Sequence, residues 1–238
     1  MNRLVFSRLL ALTVGIGCVF FAFKYNKNAL YETSGSIYGT YWKLVSTEYI
    51  PDLLIQSIKQ ELNRIDLIAS NYKPSSELSI INAAPINTVV SISSDMYTIL
   101  KFAEDLHQLS NGYYDVTIGS LIIKEGFGPE SSMTDNALPV SKKRFNFLNN
   151  NSITKNDNFQ FDLSSIAKGY AVDLISNLLI RSNRNNYLID IGGEIIVNGS
   201  KHGEPWTVGI QSPSAVNNLS DTQIRSNKFL AIATSGEY

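Results

Sequence analysis

"FDLSSIAKGYAVD", residues 161–173, is the stretch on which the reading of this chain turns. Ile166, Tyr170, Ile175 and Leu178 recur at helical spacing, so a helix is predicted from about Ser165 to Ile180. Ser164 or Ser165 would cap it, and Asp162 would set negative charge near the positive helix end. An ordinary helix start explains all of that, but it does not explain Lys168 and Gly169. Glycine inside a helix costs about 1 kcal/mol, and a cation in the first turns opposes the helix dipole. Both fit an anion at the helix entrance, the glycine allowing close approach and the lysine supplying charge.

Segments on either side have a similar character. "GYYDVTIG" (112–119) sets Asp115 between aromatics and a β-branched run. That is either an ordinary Asx turn or a carboxylate accepting hydrogen bonds from a ligand stacked on Tyr113 or Tyr114. "NYLIDIGGEIIVNG" (186–199) reads as two strands joined at Gly192-Gly193, with Asp190 and Glu194 beside the turn. "ATSGEY" (233–238) puts Thr234, Ser235 and Gly236 at a strand end, a polar loop of the kind that holds phosphate through backbone N–H groups.

Helices are predicted within "PDLLIQSIKQELNRIDLIASNY" (51–72), with Leu54, Ile58, Leu62, Ile65 and Ala69 inward, and within "SSDMYTILKFAEDLHQLSNG" (93–112), ended by Asn111-Gly112. The second would bury Ile99, Ala103, Leu106 and Leu109, leaving His107 solvated. "KPSSELSIIN" is a loop running into a short helix. Strands are expected at Ile37–Ser46, "NTVVSIS", "FQFDLS", "PWTVGIQ" and "FLAIATSG". Residues 129–158 read as surface loop broken by one strand near Phe145–Leu148. The fold class is therefore α+β, with antiparallel-rich sheets and packed helices.

The first 27 residues differ from the rest. Arg3 and Arg8 precede an almost wholly apolar run, Leu9 to Phe23, followed by Lys24 and Lys27. This is the pattern of a signal peptide or membrane anchor, and it places the rest of the chain on the extracytoplasmic (periplasmic) side of the membrane, tethered or released. Residues 28–36 read as a linker and 37–238 as the folded domain. Cys18, the one cysteine, follows "GIG", a poor lipoprotein-type site. Net charge is −1 over 238 residues, with 44% hydrophobic and 17% charged, which excludes wholesale disorder and a broad nucleic-acid footprint. With His107 and His202 alone, a multi-histidine metal site is excluded. There is no P-loop, G-x-G-x-x-G, H-E-x-x-H, C-x-x-C or G-x-S-x-G.

Taken in order, "YGTYWKLV", "SNYKPSSELSIIN", "LSNGYYDVTIGSLI" with "GFGPE", "FDLSSIAKGYAVDLI", "LIDIGGEIIVNG", "WTVGIQSP" and "IATSGEY" resemble the ApbE family of flavin transferases, which move FMN from FAD onto a protein. The resemblance runs from about Ile37 to Tyr238. It implies an extended FAD site near a Mg²⁺-dependent centre. Tyr38 and Tyr72 would line the flavin site, and Tyr113, Tyr114 and Asp115 would contact the dinucleotide. Ser164, Lys168, Tyr170 and Asp173 would surround it at the helix entrance. Ala167 would offer its carbonyl to the metal, and Ser235 and Gly236 would lie near the pyrophosphate. No catalytic residue is implied. The partner would be a target flavoprotein of a membrane redox complex, modified on a threonine or serine. The family pattern continues beyond Tyr238 with further metal ligands, so the expectation is a C-terminally shortened transferase. The alternatives are an anchored FAD-binding protein without transfer activity, or a metal-dependent FAD hydrolase.

Overall fold

The computed structural model describes residues 3–26, 29–129, 144–211 and 219–235. Helix α1 (Arg3–Asn26) comes first. Its described side chains from Leu10 to Phe21 are all exposed. No helix among the described residues is long and apolar enough to cross a membrane.

The centre of the structure is an antiparallel sheet of five strands: β1 (Tyr31–Ile37), β2 (Thr40–Ser46), β6 (Tyr187–Ile191), β7 (Glu194–Asn198) and β10 (Leu230–Ala233), side by side in that order. Alternation of Leu44, Ser46, Tyr187, Ile189, Ile191 and Ile196 turns one sheet face inward. Helices α2 (Asp52–Ala69) and α6 (Ala167–Arg181) cover that face. They contribute Leu54, Ile58, Leu62 and Ile65 from α2, and Ala171, Val172, Ile175 and Leu179 from α6. On the opposite face, the hairpin β8 (Trp206–Gln211) and β9 (Leu219–Ser226) closes a smaller cluster of Ile195, Val197, Trp206 and Val208.

A second layer carries α3 (Glu77–Ala83), α4 (Ser94–Leu109), α5 (Gly119–Lys124) and a three-stranded sheet of β3 (Val89–Ser91), β5 (Ser152–Lys155) and β4 (Phe145–Asn149). Ser76 caps α3 by accepting from Ser79 N, and Ser93 caps α4 by accepting from Met96 N at 3.1 Å. Every strand ladder among the described residues is antiparallel, in accord with the α+β expectation.

Several local expectations change. Residues 31–36, expected to be part of the linker 28–36, instead form β1 with Ile37, paired with β2 across the two-residue turn Tyr38-Gly39. The polar composition of β1 reflects an edge strand with alternate residues in water. "FQFDLS" forms no strand. Phe159, Phe161 and Leu163 are buried by loop packing instead, with one isolated bridge at Gln160. Helix α4 is rotated from the expected stripe, burying Met96, Ile99, Leu100 and Ala103 and leaving Leu109 exposed. The strand expected near Phe145–Leu148 is present as β4, but it is paired in a hairpin with β5, where surface loop is expected, and Arg144, Phe145 and Ile153 are buried. Residues 130–143 lie outside the described structure.

Candidate functional site

Two tight turns meet at one end of the central sheet. Tyr38 and Gly39 join β1 to β2 with φ of 54° and 72°, and Gly192 and Gly193 join β6 to β7 with φ of 54° and 93°. Two consecutive positive φ values are the type I′ geometry that suits the strand twist. Glycine meets that demand without strain, whereas tyrosine at Tyr38 is costly. The Tyr38 hydroxyl donates to the Leu62 carbonyl at 2.9 Å, which holds the ring against α2. Burial, then the Asp66 charge, pushes its pKa well above the usual phenol range.

Pairing of β2 with β6 sets the two turns side by side. Gly192 N donates to the Tyr41 carbonyl at 3.0 Å, and the Tyr41 hydroxyl to Asp190 Oδ2 at 2.7 Å. A Cβ on Gly192 would lie 2.5 Å from Thr40 Cγ2, so the turns touch. Beyond β10, Thr234 donates twice to the Gly193 carbonyl, from its N–H at 3.1 Å and its hydroxyl at 3.0 Å.

The α6 entrance lies over these turns. Its start is not capped by a serine: the residue before α6 is Ile166, with no side-chain cap. Buried Asp162 does the organising. Its Oδ1 accepts from Ser164 N at 2.9 Å and from the Ser164 hydroxyl, and its Oδ2 accepts from Asn71 Nδ2 at 3.0 Å. The loop after α2, which carries Tyr72, is thereby tied to the α6 entrance. Lys168 Nζ donates to the Gly192 carbonyl at 3.1 Å and lies 3.8 Å from Glu194 Oε1.

Between these parts is a cavity of about 530 Å³ that brings together Tyr38, Tyr72, Ser164, Ala167 and Lys168, five of the residues singled out from sequence. Asp66, Lys73, Thr40 and Gly192 line it too. Tyr170 and Asp173 face the other way, into a second cavity of about 550 Å³ with Ser165, Gly169 and Glu194. A Cβ on Gly169 would meet nothing within 4 Å, so no protein neighbour requires a glycine there. Asp173 is exposed, and desolvation raises its pKa above the usual carboxylate range.

The Tyr170 hydroxyl is committed to structure, donating to Asp95 Oδ1 at 2.6 Å. Asp95 also takes Arg64 Nη1 at 2.5 Å, and Arg64 holds Glu61 as well. Burial works against the Asp95 charge, but the Arg64 and Tyr170 hydrogen bonds outweigh it and hold the carboxyl below its ordinary pKa. The network joins α2, α4 and α6.

The "GYYDVTIG" residues separate. Tyr113 is 95% exposed. The Tyr114 hydroxyl shares a 3.0 Å hydrogen bond with Ser165 Oγ at the α6 entrance. His107, expected in solvent, instead donates from Nδ1 to the Tyr114 carbonyl at 2.7 Å. Asp115 Oδ1 accepts from Thr117 N and Oγ1 at 2.8 and 2.7 Å, an Asx turn, and buried Arg144 donates to the same Thr117 hydroxyl. Ser235 is exposed just past Thr234, while Gly236 lies outside the described residues.

Among the described residues no group of three or more His, Cys, Asp or Glu side chains gathers to hold a metal. The oxygen-bearing side chains that line the first cavity include Asp66, Thr40 and Ser164, with Asp66 paired to Lys73. That donor chemistry fits Mg²⁺, which uses few protein ligands and keeps waters and substrate phosphates.

Sequence reasoning missed Lys73, Asp66 and Asn71, although the first and third flank Tyr72. It also missed Thr40, beside Tyr38 in sequence, and the Arg64–Asp95 pair, 31 residues apart with no local signal.

The profile of the ApbE family matches residues 38–238. The FAD:protein FMN transferase of Vibrio cholerae is 33% identical over 206 residues, 82% of this chain and 59% of that protein. That of Haemophilus influenzae is 31% identical over 198 residues, 77% of this chain and 57% of the relative. The chain thus spans under three-fifths of the length of these curated relatives. Among solved structures, a variant of the flavin transferase ApbE from Vibrio cholerae superposes with a TM-score of 0.75 at 29% identity, covering 87% of this chain and 74% of the other. The ApbE protein of Thermotoga maritima gives 0.73 at 25% identity, covering 87% and 71%.

Proposed function

Because the chain belongs to the ApbE family, we propose that it acts as an FAD:protein FMN transferase, moving FMN from FAD to a threonine or serine hydroxyl of a target flavoprotein with release of AMP. The observation that carries this is the cavity at the α6 entrance. It is lined by two tyrosines, Tyr38 and Tyr72, and by Lys168 of α6, whose ammonium rests on the Gly192 turn, which suits a ligand with a planar ring and a charged diphosphate.

In the proposed reaction the acceptor hydroxyl oxygen bonds to the FMN-side phosphorus while the bond from that phosphorus to the bridging oxygen breaks. AMP leaves with that oxygen, and the hydroxyl proton passes to solvent. Lys168 supplies fixed positive charge toward the diphosphate, and the Asp162–Asn71 bond keeps the Tyr72 loop and the helix entrance in one arrangement. Positioning plus electrostatic stabilisation is the main task in such transfers. Mg²⁺, held by cavity oxygens including the Ala167 carbonyl and by substrate phosphates, would offset the charge that repels an incoming oxygen. The target is proposed to belong to a membrane redox complex, reached from the extracytoplasmic side with α1 as signal or tether.

The test is incubation of the full chain with FAD, Mg²⁺ and a flavoprotein acceptor presenting a threonine or serine hydroxyl, read by intact mass. An FMN adduct with stoichiometric AMP supports the proposal. Free FMN without adduct marks a hydrolase, and intact bound FAD marks a binding protein; either overturns it.

A further inference from the structure

Asp66 and Lys73 face the first cavity with an Nζ to Oδ2 separation of 2.5 Å. The two groups are unlike in freedom. The Asp66 side chain is 11% exposed in the last turn of α2, whereas that of Lys73 is 45% exposed and reaches in from the rim on a flexible stem. The pair is not needed to shape the loop. Ser70 Oγ accepts from Tyr72 N and Lys73 N, and the Ser70 carbonyl accepts from the Ser76 and Ser79 hydroxyls. Asn71 is separately anchored on Asp162.

Ser70 and Asn71 already fix the loop, so loop structure is a weak reason for keeping Lys73 on Asp66, although the pair does neutralise a buried carboxylate. The position of the pair supplies a better one. Lys168 faces the same cavity on the Gly192 carbonyl, so two ammonium groups, each resting on a protein oxygen, point into one space. Two lysines converging on one cavity match two adjacent anionic phosphates, to which charge-assisted hydrogen bonds are strong.

We propose that Lys73 is a second phosphate-binding residue, held on Asp66 until a diphosphate enters and then transferred to it; this rests on the dinucleotide reading of the cavity. Asp66 is the positioning residue. It keeps the ammonium turned inward, and its carboxylate stays behind as the lysine moves to the ligand.

The full chain, kept in mild detergent because α1 is apolar and exposed, is titrated with FAD, ADP and riboflavin. Lys73→Ala should weaken FAD and ADP about tenfold or more and leave riboflavin, which has no phosphate, unchanged. Lys73→Arg should restore most of the loss. Asp66→Asn should tighten ADP, and that gain should shrink in the Lys73→Ala background. Unchanged ADP affinity in Lys73→Ala overturns the inference, as does an equal loss for riboflavin, which would mark a collapsed Tyr72 loop. A gain from Asp66→Asn that persists in full without Lys73 overturns the hand-over. Failure of the unaltered chain to bind either FAD or ADP overturns the dinucleotide reading itself.

Discussion

Replacing Asp162 is expected to damage the chain in two separable ways. This side chain, 5% exposed, accepts from Ser164 N, the Ser164 hydroxyl and Asn71 Nδ2. Asp162→Ala removes all three bonds. At about 1 kcal/mol net for each, the loss comes to about 3 kcal/mol. For a chain of this size that is a fall in Tm of about 6–12 °C. Asp162→Asn keeps the shape and an oxygen for Ser164, and Asn71 can flip its amide to accept from the new NH₂, so about 1 kcal/mol is expected. The assay is thermal unfolding by circular dichroism, with FAD binding measured well below the melting range. There both variants are folded, yet the alanine variant should still bind FAD more weakly, since the direct Asn71 link between the Tyr72 loop and the α6 entrance is gone. A Tm for Asp162→Ala within about 2 °C of the unaltered chain, or equal losses in the two variants, would refute the reasoning.

Gly192→Ala should destabilise by about 1–3 kcal/mol, because φ is +54° and the new methyl meets Thr40 Cγ2. Thr40→Ser, which deletes that methyl, should recover part of the loss in a chemical denaturation series. Asp95 has a folded pKa held below its unfolded value. Its stabilisation is therefore full above the unfolded pKa of about 3.9 and is lost as pH falls through the folded value. Asp95→Asn should lower stability at neutral pH and flatten the acid limb of the stability–pH curve. Lys168→Ala should weaken FAD and ADP about 10–100-fold, more so at low salt, with riboflavin unaffected, as read by calorimetry.

Where the sequence was legible, the signal lay within about one element's length. Helix α2 is visible because Leu54, Ile58, Leu62 and Ile65 repeat at the helical period, and all four are buried. The Gly192-Gly193 turn is visible because two glycines separate two β-branched runs. Tyr38-Gly39 carries a weaker form of the same signal. Its tyrosine at positive φ hid the turn, and the polar residues before it passed for a linker. The "FDLSSIAKGYAVD" stretch announced an unusual helix entrance, and Lys168 does face a cavity there. The cap did not follow the local rule, because α6 begins after Ile166, two residues past Ser164, whose hydroxyl donates to buried Asp162.

By itself, then, the sequence determined the α+β class, the span of most helices and strands, and membership of the ApbE family. Those properties depend on short-range periodicity, turn chemistry and ordered motifs. Tertiary structure alone decided which candidates share a space. It placed Tyr38, Tyr72 and Lys168 around one cavity, turned Tyr170 and Asp173 into another, and left Tyr113 in water. The physical reason is the pairing of β2 with β6, which joins Tyr41 to Asp190 across 149 residues, together with the docking of α2 against α6. Such contacts depend on burial and strand register, not on the identity of neighbours in the chain. Lys73 on Asp66 and Tyr170 on Asp95 came from the same packing.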